Sequence, residues 1–354
     1  MSSLVAVGDI MLGDSPTTVG FGTRSRYPGS DIRHVFTQLA RLLFDAGLAI
    51  GNLESPLTAI GIGRTRLARD QMRGDTAYAR VLREVGFDAL GVANNHAMQH
   101  GRAAFDETVA CLAEHNIVAF GLRGSGAWSS APVRLPVKGV GDVGILGYCW
   151  RPRQYSRAEP AYAEGDRRSA LDDIERLRPS VNRLIVSLHW GDEFLEFPSA
   201  RDREFAHEAV AAGADVIVGH HPHVVRPVEP VGTGIVAYSL GNAVSDMLWM
   251  ESLRRGVGLR VSLASGAAAL ASIRSDDEYV ARVVSEWTEL RATDVTAIPE
   301  DEYRRRVART VRDQRRAAYR YAARNAWRYP IRVGAELVAT TVYNKLSGLW
   351  NRDG

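Results

Sequence analysis

Five short polar motifs hold the residues whose types and spacing could do chemistry. They are Gly8-Asp9-Ile10-Met11, Gly51-Asn52-Leu53-Glu54-Ser55, Ala93-Asn94-Asn95-His96, Ser187-Leu188-His189-Trp190-Gly191 with Glu193, and Gly219-His220-His221-Pro222-His223. Five of the nine histidines fall in them. Imidazole, carboxylate and amide oxygen together are a donor set for Zn²⁺, Mn²⁺ or Fe²⁺. A single such motif says little, because an aspartate after a strand is often a turn or cap residue and a lone histidine is often structural. Three histidines in four positions, stiffened by a proline, are unusual outside metal sites. The expected chemistry is hydrolysis. A divalent ion acidifies water toward a pKa of about 7, and two ions roughly 3.5–4 Å apart can clamp both oxygens of an in-line displacement.

Each motif directly follows a short apolar run, and this is what must position it. Residues 5–7, 48–50, 89–92, 184–188 and 216–218 read as strands, the fourth as one buried on both faces. Helical patterns alternate with them over 31–45, 76–85, 103–114, 169–177 and 200–212, with Asp31 as an N-cap and Gly86 and Gly213 as terminators. Further strands are expected at 117–120, 133–137, 143–148, 224–225 and 235–238, and hairpin-like runs at 257–263, 267–273 and 279–284. This is a βαβ rhythm, in which ligands gather at the C-terminal strand ends because loops from several strands converge there.

The 354 residues, 45% hydrophobic and 24% charged, suit a soluble globular protein with a core of ordinary size. Cys111 and Cys149 lie far apart in apolar runs, which predicts two buried free thiols and excludes a disulfide framework or a cysteine zinc motif. No basic n-region precedes the first apolar run and no apolar stretch is long enough to span a bilayer, so the expected location is cytoplasmic, with peripheral membrane attachment open. The formal charge of +3 is uneven. Residues 299–334 carry eleven arginines against four acids, a net +7 that leaves −4 for the rest. A helix over 300–328, with Tyr303, Val307, Val311, Ala318 and Tyr321 as a modest apolar stripe, and an amphipathic stretch over 331–350 are expected there. By charge, the tail suits an anionic membrane surface or an acidic polymer, with nucleic acid the less favoured partner. A solvated helix packed along the body is the plainer expectation.

The motifs together resemble the bacterial capsule-synthesis family associated with poly-gamma-glutamate, CapA, which is similar in fold to the calcineurin-like metallophosphoesterases. To the five motifs the resemblance adds Leu12 and Tyr238-Ser239-Leu240-Gly241-Asn242, in matching order from about residue 4 to about residue 246. It implies an α/β four-layer sandwich of two mixed β-sheets flanked by helices over 1–295, followed by the Arg-rich helical tail over 296–354. It implies one or two divalent ions. Asp9 and His223 look like ligands of the first, and Asn95, His189 and His221 like ligands of the second. Glu54, with Asn52, stands at the bridging position. His96 looks like the group that assists the leaving oxygen, Glu193 like a substrate or supporting group, and His220 like a residue behind the ligands. The implied function is capsule or polymer biosynthesis with a phosphoester or a gamma-glutamyl polymer as substrate, against a non-catalytic assembly or polymer-binding role. Two positions depart from the phosphoesterase pattern: Met11 replaces a histidine ligand and Asn52 a bridging aspartate.

Overall fold

A computed structural model describes residues 2–151, 158–290, 295 and 298–339. Fifteen strands are present among them. β1 (Ser3–Ile10), β2 (Leu48–Leu53), β3 (Ala89–Gly91) and β4 (Val118–Phe120) run parallel. They join β11 (Asn242–Val244), β12 (Arg255–Ser262), β13 (Ala268–Ser275), β14 (Ala281–Val283) and β15 (Thr288–Glu289) in a mixed nine-stranded sheet. β5 (Val133–Val137), β6 (Gly141–Cys149), β7 (Arg183–His189), β8 (Val216–His220), β9 (Val228–Val231) and β10 (Gly234–Ala237) make the second, with spatial order β5-β6-β7-β8-β10-β9.

The period-2 geometry of strands explains the layering. In β1, Leu4 and Ala6 point into a core shared with Ile185, Val216, Val218 and Ala237 of the second sheet. Val5 and Val7 point the other way, against Tyr78, Leu82 and Phe105 of the flanking helices. In β7, Ile185 faces the first sheet while Leu184 and Val186 face Ile174 and Phe205 on the opposite side. Each central strand is therefore apolar on both faces, and two mixed sheets lie between two helical layers. The outer helices start where caps dictate. Asp166 accepts from Ser169 N (2.8 Å) to begin the helix Arg167–Leu177, and Ser199 accepts from Asp202 N (3.0 Å) to begin Ala200–Ala211.

Three elements differ from the sequence pattern. The helix expected over 31–45 is a 3-10 turn, Gly29–Phe36, followed by a short helix, Leu39–Leu43. Ile32, Val35, Leu39 and Leu42 are buried as the pattern requires, but spacings of three and four suit either winding. No strand forms over 224–225, where Val225 makes only an isolated bridge to Leu240. The strand lies four residues on, at Val228–Val231, and its Pro230 disguises it; an edge strand tolerates that proline. The last hairpin run shortens to Ala281–Val283. Both cysteines are free and buried, as their apolar surroundings predict.

The helix Glu300–Arg324 packs along this body, with Tyr303 and Gln314 buried and its arginines mostly outward. Val333 is buried against Val19 and Leu67, and Glu336 accepts from the backbone N–H groups of Arg66 and Leu67. Of the stretch expected over 331–350, residues 340–350, including Val342, Leu346, Leu349 and Trp350, lie outside the described residues. No described helix is long and apolar enough to cross a membrane.

Candidate metal centre

Register brings the polar residues together before any side chain is considered. At the end of β1, Asp9 stands opposite Asn52 of β2 on one side and Asn242 of β11 on the other. In the second sheet, His189 of β7 stands opposite His220 of β8. Gly8 permits the close approach of β11, because a Cβ there would lie 2.0 Å from the carbonyl oxygen of Gly241. Beyond β8 the chain turns through two residues in the left-handed region, His221 (φ 92°) and His223 (φ 58°), and Phe194 in the facing loop is a third (φ 66°). Non-glycine residues in that region cost on the order of 1–3 kcal/mol each and persist where surrounding structure enforces them.

The side chains then interlock. Asn52 donates from Nδ2 to Asp9 Oδ1 (2.8 Å), and the His221 backbone N–H donates to Asp9 Oδ2 (3.2 Å). His220 Nδ1 and His223 Nδ1 each approach an Asp9 oxygen at 3.3 Å. His223 Nδ1 also lies 3.1 Å from Asn242 Oδ1, so its proton belongs there and Nε2 is left facing Glu54 at 3.7 Å. His189 Nε2 is 2.8 Å from Asn95 Oδ1, 3.1 Å from His221 Nδ1 and 3.7 Å from Glu54 Oε1. His96 rests its Nδ1 on Gln99 Oε1 (2.7 Å), with Nε2 3.9 Å from Glu54. Glu193, about one third exposed, approaches His221 Nε2 at 3.9 Å from the rim.

Glu54 is the centre of this arrangement and its least satisfied member. It is fully buried, and neither carboxylate oxygen has a hydrogen-bond partner among the described residues. Leaving a carboxylate in that condition costs several kcal/mol unless something positive sits against it. Three ligand groups converge here, each with its atoms within 4.8 Å of one another: Asp9–Glu54–His223, Glu54–His189–His221 and Glu193–His221–His223. Glu54 is common to the first two, as a bridging carboxylate would be, and Asn95 adjoins the second through His189. The donor chemistry and the orphaned carboxylate fit a divalent cation.

The electrostatics agree in sign. Burial alone would raise Asp9, but hydrogen bonds and charge from His220 and His223 outweigh it and hold the carboxyl well below its usual range. Burial, together with the charges of Asp9 and Glu193, pushes Glu54 well above the carboxylate range against the pull of His223. Burial lowers His189 and His221 well below an ordinary imidazole, and His96 to about 4. Burial opposes protonation of His223 too, yet the charges of Glu54 and Asp9 carry it up to about 10. His189, His221 and His96 are thus held neutral and Asp9 ionised, whereas Glu54 and His223 are shifted upward together, and a divalent cation between them would take the place of both protons.

The structure gathers Asp9, Asn52, Glu54, Asn95, His189, His221 and His223, with His96 and Glu193 at the edge. Asn52 meets the cluster through its amide nitrogen, its oxygen being turned toward Asn94 Nδ2 (3.3 Å). Met11 is buried beside Met72, Val224, Met247 and Leu253 and forms a dry flank. Several supporting residues went unassigned in the sequence reading. Asn94 anchors to Leu53 O (2.9 Å), Asn242 donates to Leu253 O (2.8 Å), and Gln99 orients His96. Arg226, wholly buried, donates from Nε to Leu195 O and from Nη2 to Asp192 O, each at 2.8 Å, and so clamps the loop carrying Glu193. Gly191 belongs to the same clamp, since a Cβ there would lie 2.5 Å from Arg226 Nη1. Asn94 and Asn242 sit inside quoted motifs and were within reach of the sequence; Arg226 follows no pattern.

Comparison with known proteins shows the family of the chain. The family described as bacterial capsule synthesis protein PGA_cap matches residues 3–247, a span that holds every residue of the cluster. The PGA biosynthesis protein CapA of Bacillus subtilis is 29% identical over 254 residues, covering 70% of this chain and 64% of that protein. The capsule biosynthesis protein CapA of Bacillus anthracis is 27% identical over 263 residues, covering 71% and 61%. The chain thus spans a little under two thirds of the length of these relatives. Among solved structures, a 5'-nucleotidase from Candida albicans superposes with a TM-score of 0.44 at 12% identity, over 90% of this chain and 58% of that one. With the matched region covering more than half of its length, the chain belongs to the bacterial capsule synthesis protein family PGA_cap.

Proposed function

We propose that this protein is a metal-dependent hydrolase of the phosphoester type acting in capsule or poly-gamma-glutamate biosynthesis. The buried, unpartnered carboxylate of Glu54, shared by two ligand groups, carries the reading. Asp9 and His223 would hold one ion and Asn95, His189 and His221 a second, with Glu54 between them. A divalent cation there supplies Lewis acidity and compensates charge developing on a phosphoryl group. Asn52 and His220 keep Asp9 ionised and aimed inward, and Asn242 fixes the tautomer of His223. His96 holds its Nδ1 against Gln99, which aims Nε2 toward Glu54, where it would pass a proton to the leaving oxygen. Glu193 at the rim is placed to meet substrate or its attendant water. Residues 1–295 would form the hydrolytic unit and 296–354 a basic appendage.

Elemental analysis of the purified chain and of its Glu54→Gln variant tests the metal. A screen of generic phosphoesters and gamma-glutamyl polymers under Mn²⁺ or Zn²⁺ tests the reaction. Metal-free protein with undiminished function would end the proposal.

A second reading, a polymer-binding assembly component without turnover, draws on the tail. Arg305, Arg309, Arg312, Arg320 and Arg324 are exposed along one side of the helix with no carboxylate partner among the described residues. Such a stripe suits an anionic polymer, or an anionic membrane surface against which the chain would lie peripherally. This reading requires His189→Ala and His223→Ala to keep biological function, whereas the hydrolase reading requires them to lose it.

A further inference from the structure

The helix Glu300–Arg324 crosses the loops at the rim of the cluster. Arg306 lies over the ring of Phe197 (5.4 Å), and Tyr321 meets Trp249 (6.2 Å). Between helix and rim is a chamber of about 590 Å³, within the ~300–1,000 Å³ usual for small-ligand sites. Its walls are mainly apolar: Phe194, Val311, Ala318, Ala322, Ala326 and Leu337. Ala318 and Ala322 stand four residues apart on one helix face, Ala326 follows in the 3-10 turn beyond it, and their small side chains leave the groove open. The chamber adjoins the cluster through the loop of Glu193 and Phe194. Phe194 stacks on His223 (6.1 Å between centroids, 30° between planes), and Glu193 both lines the chamber and approaches His221. Arg315 is a cation on its wall.

We propose that this chamber takes the hydrocarbon chain of an amphiphilic phosphoester whose head group reaches the Glu54–His221–His223 cluster. The proposal rests on the phosphoester reading for the head group alone. Gln314, Arg315, Tyr319 and Tyr329 offer polar contacts on part of the wall, but a nucleotide or a glutamyl polymer would also set polar groups against Phe194, Val311 and the alanines, which is unfavourable. A hydrocarbon chain covers the same walls and leaves water, and burying even a few methylenes strengthens binding more than tenfold.

Calorimetric titration of the full chain with ethyl phosphate and with dodecyl phosphate, kept below its micelle concentration, tests this in Mn²⁺ and again after EDTA. The expected result is at least tenfold tighter binding of dodecyl phosphate in both conditions. Ala318→Trp and Ala322→Trp, each checked for folding by its thermal melt, should cut that preference to within twofold. Equal affinity for the two esters, or a preference that survives both tryptophans, overturns the proposal. Failure of the metal reading is distinguishable: elemental analysis would then find no stoichiometric cation while the chain-length preference persists.

Discussion

The strand ends around Glu54 and the helix Glu300–Arg324 are both crowded with ionisable groups, and they treat them in opposite ways. At the strand ends Asp9, Glu54, His189, His221 and His223 are withdrawn from water and face one another. On the helix the charges turn outward, and the ion pairs Arg304–Glu300, Arg306–Glu302 and Arg316–Asp313 are exposed pairs three or four residues apart. Water screens the second set almost completely, so the nine arginines of the helix neither strain the fold nor oblige it to bind anything. The low dielectric around Glu54 screens little, so a carboxylate there with no hydrogen-bond partner among the described residues must take up a proton or a cation. Burial, more than the number of charges, marks the part of the molecule with work to do.

Substitutions can break or sharpen this contrast, and the largest effect is expected at its centre. Glu54→Gln should weaken divalent metal binding by more than the ~10–100-fold typical of supporting residues, read by elemental analysis and metal titration. Retention of stoichiometric metal would remove Glu54 from the bridging role. His220→Ala, which takes away a support of Asp9, should cost ~10–100-fold in metal affinity while the fold persists; an unchanged affinity would make His220 a bystander.

A smaller effect is expected at Asp246, a buried carboxylate outside the cluster. Burial first, then the charge of Asp14, push it up to about 6 despite hydrogen bonds from Thr18 and Ser15. Its folded pKa exceeds the unfolded value of ~3.9, so the stability it contributes is complete in acid and is lost as pH rises through about 6. The loss amounts to ~3 kcal/mol at most, at 1.36 kcal/mol per unit. Asp246→Asn keeps an acceptor for Thr18 and Ser15 and should flatten the stability curve between pH 4 and 6, raising the unfolding midpoint by a few degrees at pH 7.5. A curve with unchanged slope would show that the carboxylate is solvated. The smallest effect belongs to the helix: Arg304→Ala should leave the denaturant midpoint and the metal content unchanged, because its ion pair is open to water. A shifted midpoint would mean that the helix carries more of the fold than its exposed pairs suggest.

Much of the architecture was legible in one dimension because apolar periodicity reports which faces are covered. The apolar runs of β1 and β7 and the terminating glycines Gly86 and Gly213 translate directly into structure, whereas Asp31, expected as an N-cap, lies inside the 3-10 turn that Pro28 precedes. Reading failed where a residue carried two meanings. Pro230 ordinarily argues against a strand and is admitted only because β9 lies at an edge, a fact about neighbours. The spacing over 31–45 is compatible with two helical windings.

What the sequence determined by itself was the inventory and its order: five polar motifs, each behind an apolar run, and a basic segment after them. Those follow from local rules, since strand ends and caps are set by residues a few positions apart. Only the tertiary structure decided that Asp9 would lie between Asn52 and Asn242, that Glu54 would find no hydrogen-bond partner among the described residues, and that Arg226 would grip the loop of Glu193. These depend on sheet register and on burial across hundreds of residues. Solvation is a property of the whole packed volume, so no stretch of sequence can state how dry any one of its carboxylates will be.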